Sequence, residues 1–469
     1  MSFVPFSVRD THEAMLAKKD TVSGIRRNLL SSIYLAGANS LSQLALVPVF
    51  LHCWGQQVYG EWLVLFTVPA FFVFSDVGLS SAVGNALTIA LGQGRVREAE
   101  RSFNAAWKFQ VIAWVGIFCV LGLLLIFSPL REGLGVPQMD LGKFSLTVLM
   151  LSLYSLASLQ ASMLSAIYRA AGTYANYLSW SAHARILEAV LVAVVLASGG
   201  RIIAVAAAML AVRAFGTVIL YEKGRRLLPG VCCRLFSGTW ADLVPLLPSG
   251  LAFLSFPVAN ALVNQGTVLV VNHMAGPAAV VLLNVCRQLA RIFQQGTSTI
   301  LTAFQPEMTR AYGAKNGVRV RQLQSAALLP VCLVAIPFIA GVTVFGADVI
   351  QGWTRKDLGV TWPLMFACSV EAVTFGGGAL CSLLPWAINR IRALSLVYIL
   401  LNAGALLGGA VLMGPFGLTG LVGAFCLAGT AYCATGLFLG CRLGGFALRD
   451  LWSPREIAAT VAWWRTRKA

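Results

Sequence analysis

The chain has 469 residues, of which 58% are hydrophobic and only 11% are charged, and its mean hydropathy is +0.77. These values exclude an ordinary soluble domain. The formal net charge of +17 could suggest a nucleic-acid partner, but the positions of the charges along the chain argue against one. The composition predicts a polytopic membrane protein.

Apolar runs long enough to cross a bilayer as a helix, about 20 residues each, recur along the whole chain. The connections between them are short, so no soluble catalytic domain fits between two spans. No catalytic motif is present, and we predict neither an enzyme nor a cofactor or metal site. The twelve predicted spans are 29–51, 60–88, 106–129, 144–168, 177–198, 202–221, 246–272, 277–305, 323–348, 360–388, 391–413 and 418–441.

The basic residues are distributed unevenly between the two sides of the membrane. If the N-terminus is cytoplasmic, the cytoplasmic segments carry 26 of the 35 Lys and Arg residues, the opposite side carries five, and four lie within spans. Cytoplasmic loops of membrane proteins carry such an excess of Lys and Arg. We therefore predict that both termini are cytoplasmic and that the protein lies in a bacterial inner membrane.

Span 2 contains Pro69 and then the run Ser75–Ser81, which includes Gly78. Proline and glycine can bend a membrane helix, so we expect span 2 to be bent. The basic stretch 92–109 that follows predicts an amphipathic helix on the cytoplasmic surface.

An internal repeat emerges when the chain is compared with itself at a shift of 221 residues. The same order of glycine turn, long span, cytoplasmic glycine and basic stretch occurs twice, although chance alignment of small residues is an alternative explanation. The matched positions are Gly55 with Gly276, Ala90 with Ala311, Gly92 with Gly313, and Ala105–Ala106 with Ala326–Ala327.

The repeat predicts two six-helix lobes of equal orientation, an arrangement in which the substrate site lies between the halves. We assign 1–28 to a cytoplasmic tail, 29–221 to the N-lobe, 222–245 to a cytoplasmic linker, 246–441 to the C-lobe and 442–469 to a cytoplasmic tail.

Four segments resemble the polysaccharide-transporter branch of the multidrug/oligosaccharidyl-lipid/polysaccharide (MOP) exporter superfamily, and in particular its Wzx-type O-antigen flippases. They are the turn Val58-Tyr59-Gly60, the run Asp76-Val77-Gly78-Leu79-Ser80-Ser81-Ala82, the basic stretch after it, and the turn Gly414-Pro415-Phe416-Gly417-Leu418-Thr419-Gly420. The sequence departs from the family in span 8, where Asn284 stands near the place of a frequent tyrosine.

The resemblance implies an all-α fold of twelve transmembrane helices in two six-helix lobes around a central cavity. It also implies transfer of undecaprenyl-pyrophosphate-linked oligosaccharide from the cytoplasmic to the periplasmic leaflet. The partners would be this lipid-linked substrate, membrane lipids, H⁺ or Na⁺ as the coupling ion, and polysaccharide-assembly proteins. No nucleic acid is expected.

Two arginines, Arg287 and Arg291, lie one helical turn apart near the middle of span 8. Charges at that depth are costly and usually face a bundle interior or a wet cavity. Their guanidinium groups are suited to phosphate oxygens, so we predict an anion clamp for the substrate. The alternative is a structural ion pair with Glu371 or Asp76.

Spans 5 and 6 carry a second group of intramembrane charges, Arg185, Glu188 and Arg213. Because these spans form an antiparallel hairpin, the three side chains are predicted to form one ion network. The two arginines are secondary candidates for attracting an anionic substrate. Asp76, Glu371 and Glu188 are the candidate ion-coupling carboxylates, although Asp76 could instead stabilise a helix bend. Amides able to bind sugar hydroxyls include Asn264, Gln265, Asn284 and Gln288.

We predict from these observations an ion-coupled flippase that works by alternating access. A multidrug exporter of the same superfamily is the first alternative, although the net basic charge of the predicted midplane is unfavourable for cationic drugs. A membrane-embedded polysaccharide polymerase or ligase and a non-transporting scaffold are the others.

Overall fold

The computed structural model describes residues 22–76, 79–92, 94–127, 130–134, 136, 139–229, 238–246, 254, 257–313, 315–388 and 390–451. The chain divides into two compact units, 1–257 and 258–469. The described residues are almost entirely helical, as the apolar runs predict. The first and last predicted tail segments, 1–21 and 452–469, lie outside the described residues.

The first unit contains six long helices. They are α1 (Val22–Ala70), α2 (Leu79–Gly92), α3 (Val96–Phe127), α4 (Leu141–Ala170), α5 (Tyr174–Ala197) and α6 (Ile202–Leu227). A 3₁₀ turn, Phe71–Asp76, separates α1 from α2. Short helices occupy Leu130–Gly133 and Trp240–Leu243.

The second unit contains four long helices. They are α7 (Thr267–Gly313), α8 (Gly317–Thr354), α9 (Trp362–Cys381) and α10 (Arg392–Gly444). A π-helical turn, Leu262–Gly266, precedes α7. Short helices at Leu383–Ala387 and Leu448–Leu451 complete the described part of this unit.

Nine helices of the described residues are long and apolar enough to cross a membrane. Three of them are divided by a glycine with non-helical backbone angles: Gly55 in α1, Gly276 in α7 and Gly417 in α10. Each glycine separates two predicted spans, so the nine helices account for the twelve spans. The predicted bend in span 2 is also confirmed, because α1 ends at Ala70 and α2 begins only at Leu79.

The prediction of a separate surface helix over 92–109 was wrong. Most of that stretch is the first part of α3, which continues without a break to Phe127. Ala99, Phe103 and Ala106 recur at helical spacing and are fully buried in a core shared with α2 and α4. This apolar face anchors the basic stretch, and its charged residues lie on the remaining faces.

The backbone repeats at the predicted shift of 221 residues. Gly55 has φ 74° and ψ 179°, and Gly276 has φ 81° and ψ 174°. The helix starts repeat too, since α3 begins at Val96 and α8 at Gly317. The turns before them share the same two hydrogen bonds, Gly94 N to Leu91 O and Arg95 N to Ala90 O in one case, and Lys315 N to Tyr312 O and Asn316 N to Ala311 O in the other. The repeat is therefore confirmed at these positions.

The central helices of the two units are also equivalent. In the first unit α4 packs against α1, α2 and α6, and in the second unit α9 packs against α7, α8 and α10. They begin at Leu141 and Trp362, again 221 residues apart. These helices carry Tyr154 and Glu371, and each therefore brings a polar side chain to the interior of its unit.

We expect Gly55→Ala and Gly276→Ala each to cost about 1–3 kcal/mol of stability, because their φ and ψ values lie in a region that only glycine adopts readily. Thermal unfolding of the purified protein measures the loss. Gly37→Ala is the matched control, since Gly37 lies within α1 with open space around it and should be neutral or stabilising. Equal effects at all three positions would contradict the prediction.

Candidate functional site

The second unit encloses a buried ion pair between α7 and α9. Arg287 Nε donates to Glu371 Oε2 at 3.0 Å and Arg287 Nη2 donates to Glu371 Oε1 at 2.8 Å. Both residues are 5% exposed. Arg287 Nη1 donates to Thr267 Oγ1 at 2.8 Å and to the Val263 carbonyl at 3.2 Å. The parallel bonds of the guanidinium fork to the carboxylate make this a strong, directional pair.

This arrangement is the structural ion pair that the sequence offered as the alternative to an anion clamp. Every nitrogen of the Arg287 guanidinium has a protein partner, and the Cζ atom lies 5.2 Å from the centroid of the Phe425 ring. A substrate role for Arg287 would therefore require the pair with Glu371 to open. That role, and the ion-coupling role of Glu371, stay predictions.

Arg291 lies one turn further along α7 and is bound differently. Its Nη2 donates to Asn264 Oδ1 at 2.6 Å, and within the described residues no carboxylate forms an ion pair with it. The Asn264 amide is held in turn by its Nδ2, which donates to the Asn260 carbonyl at 2.8 Å. Arg291 is only partly buried, so it combines a fixed position with a positive charge that no neighbouring carboxylate neutralises.

The other predicted amides of this region differ in their bonding. Gln288 Nε2 is buried with no hydrogen-bond partner in the described part of the chain. Asn284 and Gln265 are half-buried. Of the predicted substrate residues, the structure thus joins Arg291 to Asn264. Contacts of Gln265, Asn284 and Gln288 with sugar stay predictions.

The π-helical turn Leu262–Gly266 was not predicted from the sequence. It contains Asn264, and the carbonyl of Val263 within it accepts from Arg287. Such turns are rare and often lie at functional sites. The cluster of Asn264, Gln265 and Gly266 inside an apolar run is the signal that could have identified it.

The first unit holds the predicted ion network. Arg185 Nη1 contacts Glu188 Oε1 at 2.6 Å, and Arg213 Nη2 contacts Glu188 Oε2 at 2.9 Å. Glu188 is 2% exposed. Tyr154 on α4, which the sequence did not single out, donates its hydroxyl to Glu188 Oε1 at 3.0 Å and accepts from Arg213 Nη2 at 3.1 Å. The geometry confirms the network and adds a third helix to it.

Two donors of this network remain unused. The Nε atoms of Arg185 and Arg213 are buried and have no hydrogen-bond partner within the described residues. One carboxylate shared by two guanidinium groups leaves a net charge of one positive unit. Unlike Arg287, these arginines keep both charge and hydrogen-bonding capacity in excess of what their protein partners use.

Asp76 lies apart from Arg185, Glu188 and Arg213, at the end of the 3₁₀ turn between α1 and α2. Its Oδ1 accepts from Ser80 Oγ at 2.6 Å, from Ser80 N at 3.3 Å and from Gln110 Nε2 at 3.2 Å. Asp76 thus stabilises the start of α2, the helix-bend role that the sequence offered as an alternative. Its ion-coupling role stays a prediction.

No protein-family model matches the sequence. No curated protein matches it either. Solved structures do match the fold over almost the whole chain. An outward-facing multidrug resistance MATE family transporter of the MOP superfamily has a TM-score of 0.65 and 16% identity, and the alignment covers 92% of this chain and 98% of that one. An inward-facing structure of such a transporter has a TM-score of 0.62 and 15% identity, with 93% and 98% covered.

The MATE multidrug transporter DinF-BH in complex with rhodamine 6G matches with a TM-score of 0.62 and 15% identity, covering 93% of this chain and 97% of that one. At these identities the likeness establishes the fold. The protein therefore has the all-α, twelve-helix, two-lobe fold of the MATE transporters, as the superfamily resemblance implied. The three structures are multidrug transporters, so assignment to the polysaccharide branch remains a prediction.

Proposed function

We propose that this protein is an ion-coupled, alternating-access transporter of the bacterial inner membrane whose substrate carries an anionic group. The fold supports transport, since outward-facing and inward-facing structures both occur among the MATE transporters it resembles. The observation that carries the substrate class is Arg291, a fixed cation with no carboxylate partner in the described part of the chain.

The first unit supports the same substrate class. Arg185 and Arg213 outnumber their shared partner Glu188, and each keeps a buried Nε for which the described residues supply no acceptor. Leaving a buried donor unsatisfied costs about 1–3 kcal/mol. An anion that accepted from these donors would recover that cost and neutralise the excess charge.

A lipid-linked oligosaccharide is the anionic substrate that we propose. Its pyrophosphate offers oxygen acceptors for guanidinium donors, and the amides of Asn284 and Gln288 near Arg291 on α7 suit sugar hydroxyls. The segments that resemble Wzx-type flippases, including the run that begins at Asp76, support the same class.

Export of small amphipathic drugs is the second candidate. Similarity to solved structures favours it over the flippase function, because the three structures above are multidrug transporters and one of them was solved in complex with rhodamine 6G. The excess of arginine over carboxylate at the two intramembrane clusters is the observation against it for a cationic drug.

Binding to the purified protein distinguishes the two candidates. We expect undecaprenyl pyrophosphate to raise the melting temperature, and Arg291→Gln to weaken this binding about 10- to 100-fold, the effect of losing a hydrogen bond to a charged group. Rhodamine 6G should cause no comparable shift. Arg449→Gln is the control, since the Arg449 side chain is 90% exposed on a short helix outside the long apolar segments.

Two results would contradict the proposal. Unchanged affinity of the Arg291→Gln variant for the pyrophosphate lipid would remove Arg291 from the site. Saturable binding of the dye, with no response to the lipid, would favour the multidrug candidate.

A further inference from the structure

An incompletely satisfied group of oxygen atoms lies where the 3₁₀ turn Phe71–Asp76 meets α3. Gln110 on α3 is 1% exposed, and its Nε2 donates to Asp76 Oδ1 at 3.2 Å. Its other amide atom, Oε1, is buried with no hydrogen-bond partner in the described residues. Buried amide oxygens normally have a partner, so this atom points to a ligand that supplies positive charge or a donor.

Asp76 supplies a matching oxygen. The three protein donors that reach Asp76 converge on Oδ1, and none contacts Oδ2 within the described part of the chain. Since the amide bond to Oδ1 fixes Gln110 beside the carboxyl group, two acceptor oxygens, Asp76 Oδ2 and Gln110 Oε1, belong to adjoining groups and have no donor between them among the described residues.

The described surroundings provide no cation for these oxygens. The 3₁₀ turn packs against α1, α3 and α4. Of the charged side chains on these helices, including Glu61, Lys108 and Arg169, none forms an ion pair with Asp76 in the described residues. A carboxylate in an apolar segment that lacks a counter-ion is costly unless a cation or a proton neutralises it.

We propose that Asp76, Gln110 and Ser80 form a binding site for a monovalent cation, a proton or a sodium ion. A proton on Asp76 Oδ2 would be donated to Gln110 Oε1, completing a cyclic carboxyl–amide pair. A sodium ion would take the same two oxygens together with the Ser80 hydroxyl oxygen as hard ligands. As the coupling site, this assignment rests on the proposed transport function, whereas cation binding itself does not.

Melting temperatures of the purified full-length protein test the site without a transport assay. Sodium chloride is compared with choline chloride at constant ionic strength, and the pH is varied in choline buffer. A ligand that binds only the folded protein raises its melting temperature. We expect either a saturable rise of about 5 °C at a 100-fold excess of sodium over its dissociation constant, or a fall with rising pH as the proton is released.

Two variants connect the response to the site, and a third controls for helix capping. Asp76→Asn should abolish the response, and Gln110→Leu should weaken it at least tenfold. Asp140→Asn is the matched control, because Asp140 also caps a helix, with Oδ2 accepting from Lys143 N at 3.2 Å, but is exposed. It should lower the melting temperature without changing the cation response.

The outcomes separate the sources and the alternatives. A sodium response assigns the site to sodium, and a pH response that is lost in Asp76→Asn assigns it to the proton. The proposal is overturned if the wild-type protein responds to neither, or if Asp76→Asn keeps the wild-type response. A protein that binds the cation but transports nothing would refute the proposed function and leave the site intact.

Discussion

Replacing Glu188 by glutamine is expected to destabilise the first unit by about 3–5 kcal/mol. The carboxylate is 2% exposed and is shared by Arg185 and Arg213, so its loss leaves two guanidinium groups without a counter-ion. Removing one partner of a buried ion pair has this magnitude because the remaining charge is uncompensated. Thermal or denaturant unfolding of the purified protein measures the loss.

An exposed ion pair in the same unit provides a matched control. Arg95 contacts Glu98 at 2.6 Å with i,i+3 spacing, the same length and spacing as Arg185 with Glu188, but the exposed fraction of the carboxylate side chain is 54% rather than 3%. We expect Glu98→Gln to cost less than about 1 kcal/mol. If the two variants lost the same stability, burial would not be the source of the energy.

Replacing Arg287 by methionine is expected to cost the second unit about 3–5 kcal/mol, because Glu371 would remain buried without its partner. The double variant Arg287→Met with Glu371→Leu should recover most of that loss, since apolar side chains can replace a buried pair at little cost. The double-mutant cycle should give a coupling energy of at least about 2 kcal/mol. Arg291→Met should cost less than about 1.5 kcal/mol, because it removes one hydrogen bond to a neutral amide.

Additive effects of the two single substitutions would contradict this prediction. Such a result would mean that Arg287 and Glu371 are not coupled, contrary to their two hydrogen bonds at 3.0 Å and 2.8 Å. The same variants also separate folding from transport. A double variant that is stable but does not transport would indicate that the pair opens during the cycle.

The sequence was informative wherever spacing along one helix or one repeat determines position. Arg185 and Glu188 lie three residues apart on α5, so their contact follows from helical geometry. Gly55 and Gly276 are matched by the 221-residue shift, and they share nearly the same φ and ψ values. The spans follow from apolar length, because a bilayer leaves few alternatives to a helix.

Contacts between distant helices could not be derived in the same way. Nothing in the spacing joins Arg287 to Glu371 rather than to substrate, because the choice depends on how α7 and α9 pack. Gln110 had no distinguishing pattern, and its orphan oxygen is visible only beside Asp76. The π-helical turn at Leu262–Gly266 depends on tertiary partners, including Arg287, that no local propensity encodes.

The separation of charge partners along the chain has a consequence for how the protein enters the membrane. Arg185 and Glu188 enter together on one helix, so the arginine brings its counter-ion with it. Arg287 and Glu371 are 84 residues apart, and α7 emerges from the ribosome well before α9 is made. A single arginine at the centre of a helix costs about 2.5–3.5 kcal/mol on insertion scales, so α7 must be tolerated by the insertion machinery until α9 arrives. The second unit therefore depends on the order of synthesis in a way that the first does not.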